Sequence, residues 1–192
     1  MSLSINSTHW LNEAQHLPSP FYDTRPDDTD ISLLVVHNIS LPPGEFGGPY
    51  VEQLFTGQLD PEAHPYFATI YKLRVSAHCF IRRDGGIIQF VPFNGRAWHA
   101  GVSQFAGRDK CNDFSIGIEL EGTDTLPFTQ AQYDSLIELT RVIMQTYPAI
   151  DTSTITGHEF IAPGRKTDPG LVFDWVKYKS ALLVSDQDNE LS

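Results

Sequence analysis

The chain has 192 residues, of which 41% are hydrophobic and 19% are charged, and this composition predicts one soluble globular domain over residues 1–192. A formal net charge of −11 without a stripe of Lys and Arg argues against nucleic-acid binding, which needs a basic face. The sequence has no run of about 18 apolar residues of the kind that forms a membrane span. Two cysteines and a start without a signal-peptide pattern predict a cytoplasmic protein with reduced thiols. We expect it to be a monomer.

The first part of the chain predicts little regular structure apart from one strand. Residues 1–30 are rich in Ser, Pro and Asp, which predicts an irregular lead-in. Ile31 to His37 is almost continuously apolar and β-branched, which is typical of a buried central strand. Short helices are expected within Tyr50–Phe55 and Pro61–Tyr71.

A hairpin and a long loop follow. The segments His78–Arg83 and Ile87–Pro92 flank Asp84-Gly85-Gly86, and an Asp-Gly pair between apolar segments is a strong turn signal. Phe93–Asn112 is predicted as a long loop, and a loop of this length inside a compact domain is more often functional than not.

The second half of the chain predicts alternating strands and helices. Phe114–Glu121 alternates with period two, and Ser153–Thr156 is predicted as a short strand. Thr129–Tyr147 has helical periodicity, with Thr129 as N-cap and Gln132 completing a capping box. Asp174 to about Leu183 predicts a last helix, before an acidic tail at about 185–192. We therefore predict an α/β fold with a central mixed β-sheet flanked by helices.

Three residues that can bind a metal lie at the edges of predicted elements. His37 ends the first strand, His158 follows the short strand, and Asp168 comes ten residues later. Two imidazoles and one carboxylate suit a zinc ion whose fourth position stays open to water. A lone histidine at a strand end is usually structural or merely exposed, so this hypothesis requires that all three residues meet in space.

Other polar residues could complete a hydrolytic site. Glu119 is a candidate general base, although both it and Glu121 could belong to a solvated sheet face, and we prefer that interpretation for Glu121. Lys166 could stabilise an oxyanion, and Arg165 could bind a substrate carboxylate. Both are equally consistent with ordinary surface residues.

The long loop and two further basic residues extend this set. Trp98 could stack on a sugar ring or cover the core, and His99 beside it is well placed to contact a substrate. Arg74 and Lys110 are possible partners for a carboxylate, although exposed basic residues usually indicate solubility only.

Six stretches of the chain resemble AmpD-type zinc amidases, the cytoplasmic 1,6-anhydro-N-acetylmuramoyl-L-alanine amidases of Gram-negative bacteria. The wider family includes phage lysozyme-type amidases and peptidoglycan recognition proteins. The resemblance runs from about Pro18 to Trp175. Its stretches are Ser19–Pro26, Leu33–Gly48, Arg74–His78, Arg96–Ser103, Cys111–Gly122 and Arg165–Gly170.

The resemblance implies a fold, a cofactor and a role for each candidate residue. It implies a mixed sheet flanked by helices, a Zn²⁺ site in a surface groove, and hydrolysis of the amide between anhydromuramic acid and L-alanine in peptidoglycan recycling. His37, His158 and Asp168 match the zinc ligands, Glu119 the catalytic acid/base, and Lys166 the lysine that stabilises the transition state. The positions that match expected substrate contacts are Arg74, Trp98, Arg165, Asn38 and Lys110. Lys110 stands where arginine is expected.

Three other interpretations of the sequence remain. A wall-lytic amidase would act on intact peptidoglycan, and we expect such a protein to carry a signal peptide or a wall-binding module. A non-catalytic peptidoglycan-binding module would be expected to lack a ligand or the glutamate, and this chain has the full set. A metal-free structural domain would not need the set at all.

Overall fold

A computed structural model describes residues 2–184 of the chain and places six strands in one mixed β-sheet. The strands are β1 Gln15–His16, β2 Tyr22–Thr24, β3 Leu33–Ile39, β4 Cys79–Ile81, β5 Ile87–Gln89, β6 Gly95–Ala97, β7 Gln104–Phe105, β8 Arg108–Asp109, β9 Ser115–Glu121 and β10 Ile155–Gly157. The helices are α1 Tyr50–Phe55, α2 Phe67–Ile70, α3 Gln130–Thr146, α4 His158–Ile161 and α5 Trp175–Leu183, with a 3₁₀ turn at Cys111–Asp113.

The sheet has the strand order β1-β5-β4-β9-β3-β10. Strands β4, β9, β3 and β10 run parallel, while β5 is antiparallel to β4 and completes the predicted hairpin. Helix α3 connects β9 to β10, so it is the crossover connection that parallel strands require. The predicted mixed sheet flanked by helices is therefore confirmed.

The two faces of the central strands have different neighbours. Leu34 and Val36 of β3 join a core cluster with Leu136 and Ile143 of α3, so α3 covers this face. Leu33 and Val35 belong to a separate cluster on the other face. Because side chains alternate along a strand, His37 points to the same side as Leu33 and Val35, away from α3.

The helix ends agree with the sequence. The Thr129 hydroxyl accepts a hydrogen bond from the Gln132 backbone N–H, and the Gln132 side chain accepts one from the Thr129 N–H, so the capping box forms. Asp174 caps α5 through the N–H of Lys177.

Both cysteines are buried and free, and the acidic tail at 185–192 lies outside the described residues. Within residues 2–184, no helix is long and apolar enough to cross a membrane.

Three predictions about local structure were wrong. The lead-in over residues 1–30 contributes β1 and β2, which pair with β5 and β6. The loop Phe93–Asn112 contains β6, β7 and β8. Glu121 is only 4% exposed, not solvated, because its carboxylate accepts the backbone N–H groups of Gly47 and Arg83. These contacts join the hairpin and the loop after β3 to the end of β9.

A buried arginine fixes the lead-in against the sheet. Arg25 is 5% exposed, and its guanidinium donates to the backbone carbonyls of Phe93, Asn112, Asp113 and Ser115. Burial lowers the pKa of Arg25 to about 10, so the group stays charged at neutral pH. One side chain thus joins the lead-in, the segment after β5 and the start of β9.

Replacing Arg25 with methionine is expected to lower the free energy of unfolding by about 3 kcal/mol, because buried carbonyls lose their donors. Urea denaturation of the parent protein and Arg25→Met would measure the loss. Arg108→Met is the matched control. Arg108 is exposed and paired with Asp30, so the change there should stay below about 1 kcal/mol. Equal losses in the two variants would contradict the role given to Arg25.

Candidate metal centre and groove

Strand register brings three candidate residues to one level of the sheet. His37 of β3 is the register partner of Glu119 of β9, and Val36 is the partner of Gly157 at the end of β10. His158 follows Gly157 directly, so it comes level with His37. The three residues therefore meet near the carboxyl ends of parallel strands, where open α/β sheets usually bind their ligands.

Asp168 completes a triangle of ligand atoms with the two histidines. Nδ1 of His37 lies 3.0 Å from Nδ1 of His158, and each of these atoms lies 3.0 Å from Oδ2 of Asp168. The backbone N–H of Glu159, in α4, donates to the Asp168 carbonyl and fixes this residue beside His158. Both histidines are buried and Asp168 is partly buried. The three residues separated in sequence thus form one compact cluster.

The contacts around His158 are compatible with a cation in this triangle. Nε2 of His158 lies 3.0 Å from the Ala100 carbonyl oxygen, which can only accept, so Nε2 carries the proton. In the neutral ring, Nδ1 then presents a lone pair towards the Asp168 carboxylate. Two acceptors 3.0 Å apart repel each other unless a cation lies between them. Two imidazole nitrogens and a carboxylate oxygen are ligands that suit zinc.

The protonation states favour metal binding. Burial lowers the pKa of His37 to about 4, although the hydrogen bond with Asp168 opposes the shift, so the ring is neutral at pH 7. Burial alone would raise the pKa of Asp168, but the two imidazoles of His158 and His37 beside its carboxylate hold it well below its usual value. A neutral imidazole and an ionised carboxylate are the forms that bind a divalent cation.

Glu119 is a buried carboxyl group with an unused oxygen. The residue is 9% exposed, and its Oε2 has no hydrogen-bond partner among residues 2–184. Burial, followed by the charge of Asp168, raises the pKa of Glu119 well above its ordinary value, and Lys166 partly opposes this. A carboxyl group with a raised pKa and a free oxygen in a cleft is suited to exchanging protons with a reactant.

A surface groove of about 590 Å³ is lined by His158 and Asp168 of the candidate metal centre and by Glu119. Lys166 and Asn38 line it together with Trp98 and the residues already described. Asn38 donates to Asp124 Oδ1 at 2.7 Å and to the Pro169 carbonyl at 3.1 Å, so its amide is held at the groove wall. The groove also has apolar lining residues, Leu54, Phe55 and Ile70.

Cations cluster in a smaller cavity of about 240 Å³ whose lining shares Trp98, His99 and Lys166 with the groove. Arg74 lies over the Trp98 ring at 5.6 Å, and Nε1 of Trp98 donates to Asp23 at 3.3 Å. Nη2 of Arg165 donates to the carbonyls of Ala100 and Val102. The lining of this cavity thus includes Arg74, Arg165 and Lys166, and Lys166 also lines the groove.

Two candidate residues, Lys110 and His99, have positions that the sequence does not predict. Lys110 is exposed in a turn with left-handed backbone, and it lines neither the groove nor the smaller cavity. His99, predicted as a substrate contact, lies against His37, with Nδ1 at 2.9 Å from His37 Nε2. No periodic signal in the sequence marks this contact.

The three-residue cluster and the buried carboxyl group beside it are typical of metal-dependent hydrolases, and comparison with known proteins identifies the family. The N-acetylmuramoyl-L-alanine amidase family (Amidase_2) matches residues 27–171, and the chain belongs to this family. The predicted enzyme class, N-acetylmuramoyl-L-alanine amidase, is thereby confirmed.

One branch of the family is much closer to this chain than another. The chain is 64% identical over 178 residues to the 1,6-anhydro-N-acetylmuramyl-L-alanine amidase AmpD of Escherichia coli K12, covering 93% of this chain and 96% of the relative. A crystal structure of a selenomethionine derivative of AmpD superposes with a TM-score of 0.90 at 63% identity, covering 93% of this chain and 99% of that one. The predicted resemblance to AmpD-type amidases is confirmed.

A more distant solved structure contains a substrate. It is a complex of the N-acetylmuramyl-L-alanine amidase AmiD from E. coli with anhydro-N-acetylmuramic acid-L-Ala-D-γ-Glu-L-Lys. The TM-score is 0.59 at 26% identity, over 94% of this chain and 65% of that chain.

Proposed function

We propose that this protein is a zinc-dependent amidase that cleaves the bond between 1,6-anhydro-N-acetylmuramic acid and the L-alanine of the stem peptide, in cytoplasmic peptidoglycan recycling. The observation that carries the proposal is the triangle of His37, His158 and Asp168 beside a buried Glu119. The names of the AmpD relatives and the substrate in the AmiD complex support the anhydromuramyl class. The free, buried thiols agree with the cytoplasm.

The proposed cofactor is held by three protein ligands. His37 and His158 would bind zinc through Nδ1, and Asp168 through Oδ2, which are the atoms that converge in the cluster. Three ligands rather than four are typical of catalytic zinc. When bound there, zinc supplies a Lewis acid and lowers the pKa of water to near neutrality.

Glu119 is proposed to move the proton in the reaction. Its register position beside His37 places the carboxylate on the same side of the sheet as the metal ligands. The unpartnered Oε2 can accept the proton of the attacking water and then deliver it to the alanine nitrogen as the amide bond breaks. Burial raises the pKa of Glu119, which makes its carboxylate a stronger base for the first step.

Cationic side chains are proposed to stabilise the oxyanion and the peptide. Lys166 lines the groove beside Glu119 and Asp168 and can donate to the oxygen that gains negative charge during attack. Arg74 and Arg165 lie in the adjoining cavity, where they can bind the carboxylates of the stem peptide. Trp98 offers a ring face to the sugar, and Asn38 an amide at the groove wall. For Lys110 the structure gives no comparable support.

The proposal predicts a zinc-dependent cleavage reaction with a defined product. Incubation with N-acetyl-1,6-anhydromuramyl-L-alanyl peptide should release the free peptide, detected by mass spectrometry. Chelation should stop the release, zinc should restore it, and Mg²⁺ should not, because Mg²⁺ prefers oxygen ligands. The ordinary muramyl peptide, which lacks the anhydro bridge, is the matched control substrate.

Other outcomes of this assay would identify a different protein. Cleavage of intact peptidoglycan with no action on the soluble anhydromuropeptide would indicate a wall-lytic amidase. Binding of the muropeptide by zinc-loaded protein without any cleavage would indicate a non-catalytic recognition module. Cleavage that continues at full rate after the metal is removed would exclude the metal centre from the reaction.

A further inference from the structure

The side of His37 that faces away from the metal cluster has a specific partner. Nδ1 of His37 points into the triangle, while Nε2 lies 2.9 Å from Nδ1 of His99. A histidine that gives its Nδ1 lone pair to a cation carries its proton on Nε2, and this proton needs an acceptor. Among the described residues, the imidazole of His99 supplies that acceptor.

The contact on the far side of His99 is compatible with the tautomer in which Nδ1 accepts from His37. Nε2 of His99 lies 3.0 Å from the hydroxyl oxygen of Ser115, which is fully buried. If Nε2 carries the proton and donates it to Ser115, Nδ1 keeps its lone pair and can accept from His37. The three residues then form one chain of hydrogen bonds, directed from the metal ligand to β9.

A glycine in β9 leaves the space that the His99 ring occupies. A Cβ atom at Gly117 would lie 2.5 Å from Cγ and Nδ1 of His99, closer than any stable contact allows. The glycine is therefore required by the imidazole, since its backbone φ is not in the left-handed region. Ser115, Gly117 and Glu119 lie on one face of β9, so this face supports His99 with its first two residues and presents the proposed base with the third.

The backbone beside His99 is also held in place. The side-chain oxygen of Asn112 accepts the backbone N–H groups of His99 and Ala100, at 3.2 and 2.8 Å. The Ala100 carbonyl is the acceptor for Nε2 of His158. Two consecutive residues thus provide the outer partners of both histidines in the cluster.

We infer that His99 is a positioning residue for the metal centre, which holds the His37 ring in the orientation and tautomer that metal binding requires. This inference rests on the metal site of the proposed function and extends it to a residue outside the ligand set. Outer partners of metal-bound histidines are commonly carboxylates, carbonyls or waters, so a second imidazole in this place is an unusual choice.

Two substitutions of similar size separate positioning from simple space filling. His99→Leu removes the acceptor, and we expect zinc affinity to fall by about 10–100-fold. His99→Gln offers a side-chain oxygen to His37 Nε2, so it should retain more affinity than His99→Leu. If His99 only filled space, His99→Leu would retain more zinc affinity than His99→Gln, because leucine packs better than glutamine in apolar surroundings. The zinc dissociation constant, measured by competition with a chromophoric chelator, is the readout.

A second metal and two more variants complete the experiment. The visible absorption of bound Co²⁺ should change in His99→Leu, because the ligand ring is no longer held. Gly117→Ala displaces the His99 ring without removing it, so this variant should also bind zinc with lower affinity than the parent protein. His9→Ala is the matched control, since it removes a histidine bonded to Tyr147 outside the metal cluster, and should leave zinc affinity unchanged.

The possible failures are distinguishable. If the parent protein does not bind zinc, the proposed metal centre is wrong, and the inference about His99 is wrong with it. If the parent binds zinc and folded His99→Leu and Gly117→Ala bind it equally well, only the role of His99 is overturned. Thermal unfolding of each metal-free variant establishes that it is folded.

Discussion

Replacing Glu119 with glutamine is expected to remove most amide hydrolysis while zinc stays bound. General acid–base catalysis contributes about 10²–10⁴-fold to a rate, and glutamine can neither accept nor deliver the proton. The metal should remain, because the ligand atoms belong to His37, His158 and Asp168. The turnover number on the anhydromuropeptide and the zinc content of the purified variant test the two halves of this expectation.

The neighbouring glutamate on the same strand face is the control for this substitution. Glu121 is also buried, but its carboxylate is satisfied by the N–H groups of Gly47 and Arg83 rather than left unpartnered. Glu121→Gln should therefore reduce stability more than turnover. Unchanged turnover in Glu119→Gln would remove Glu119 from the mechanism, and loss of zinc in that variant would point to a ligand role.

Glu119→Gln should also be more stable than the parent protein when both are metal-free. Because burial raises the pKa of Glu119 above its ordinary value of 4.5, the folded state favours the protonated form. The resulting penalty is absent at low pH and grows as pH rises above the ordinary value. Glutamine resembles the protonated acid. The increase in the free energy of unfolding caused by Glu119→Gln should therefore grow from pH 4 to pH 7, reaching about 0.5–2 kcal/mol.

Elements with a strong periodic pattern could be predicted from the sequence. Helix α3 has helical spacing over its full length, and its capping box involves residues only three apart, so local rules suffice. Strand β3 was expected from its apolar run, and the hairpin of β4 and β5 from Asp84-Gly85. In each case the signal lies within one segment, and tertiary contacts reinforce it.

Elements defined by distant partners could not be predicted. Strands β1 and β7 have two residues each, too few to show periodicity, and they exist because other strands pair with them. The burial of Glu121 depends on N–H groups from two remote loops. Arg25 looks like a surface residue in a Pro- and Asp-rich segment, yet its guanidinium meets carbonyls about 70 to 90 residues away.

Some features of the candidate site could likewise be predicted from the sequence, and others could not. The residue types of the cluster follow from the chemistry of zinc, but His37 and Asp168 are 131 residues apart. Strand register brings His158 level with His37, and the bond from the Glu159 N–H to the Asp168 carbonyl places Asp168 beside them. The role inferred for His99 depends on Gly117, whose missing side chain is visible in the sequence while the ring that fills the space is not. Family resemblance predicted the residues of the cluster, whereas the role of His99 was inferred from the geometry of the structure.

Replacing His158 with alanine is expected to abolish zinc binding at ordinary metal concentrations, and amide hydrolysis with it. The variant removes one of three ligand atoms, so affinity should fall by more than the roughly 10–100-fold that accompanies loss of an outer partner. It also leaves the Ala100 carbonyl without the Nε2–H donor, although Arg165 still donates there. Metal stoichiometry after dialysis, measured by elemental analysis, is the direct test.

The comparison between His158→Ala and Glu119→Gln then separates metal binding from proton transfer. Added zinc should partly restore the structure of the metal site in His158→Ala only at high concentration, whereas Glu119→Gln should be fully loaded and still inactive. His16→Ala is the control, because its ring contacts the Leu11 carbonyl and Trp10 rather than the cluster. A full equivalent of zinc in dialysed His158→Ala would exclude His158 as a ligand, and the triangle would then need another explanation.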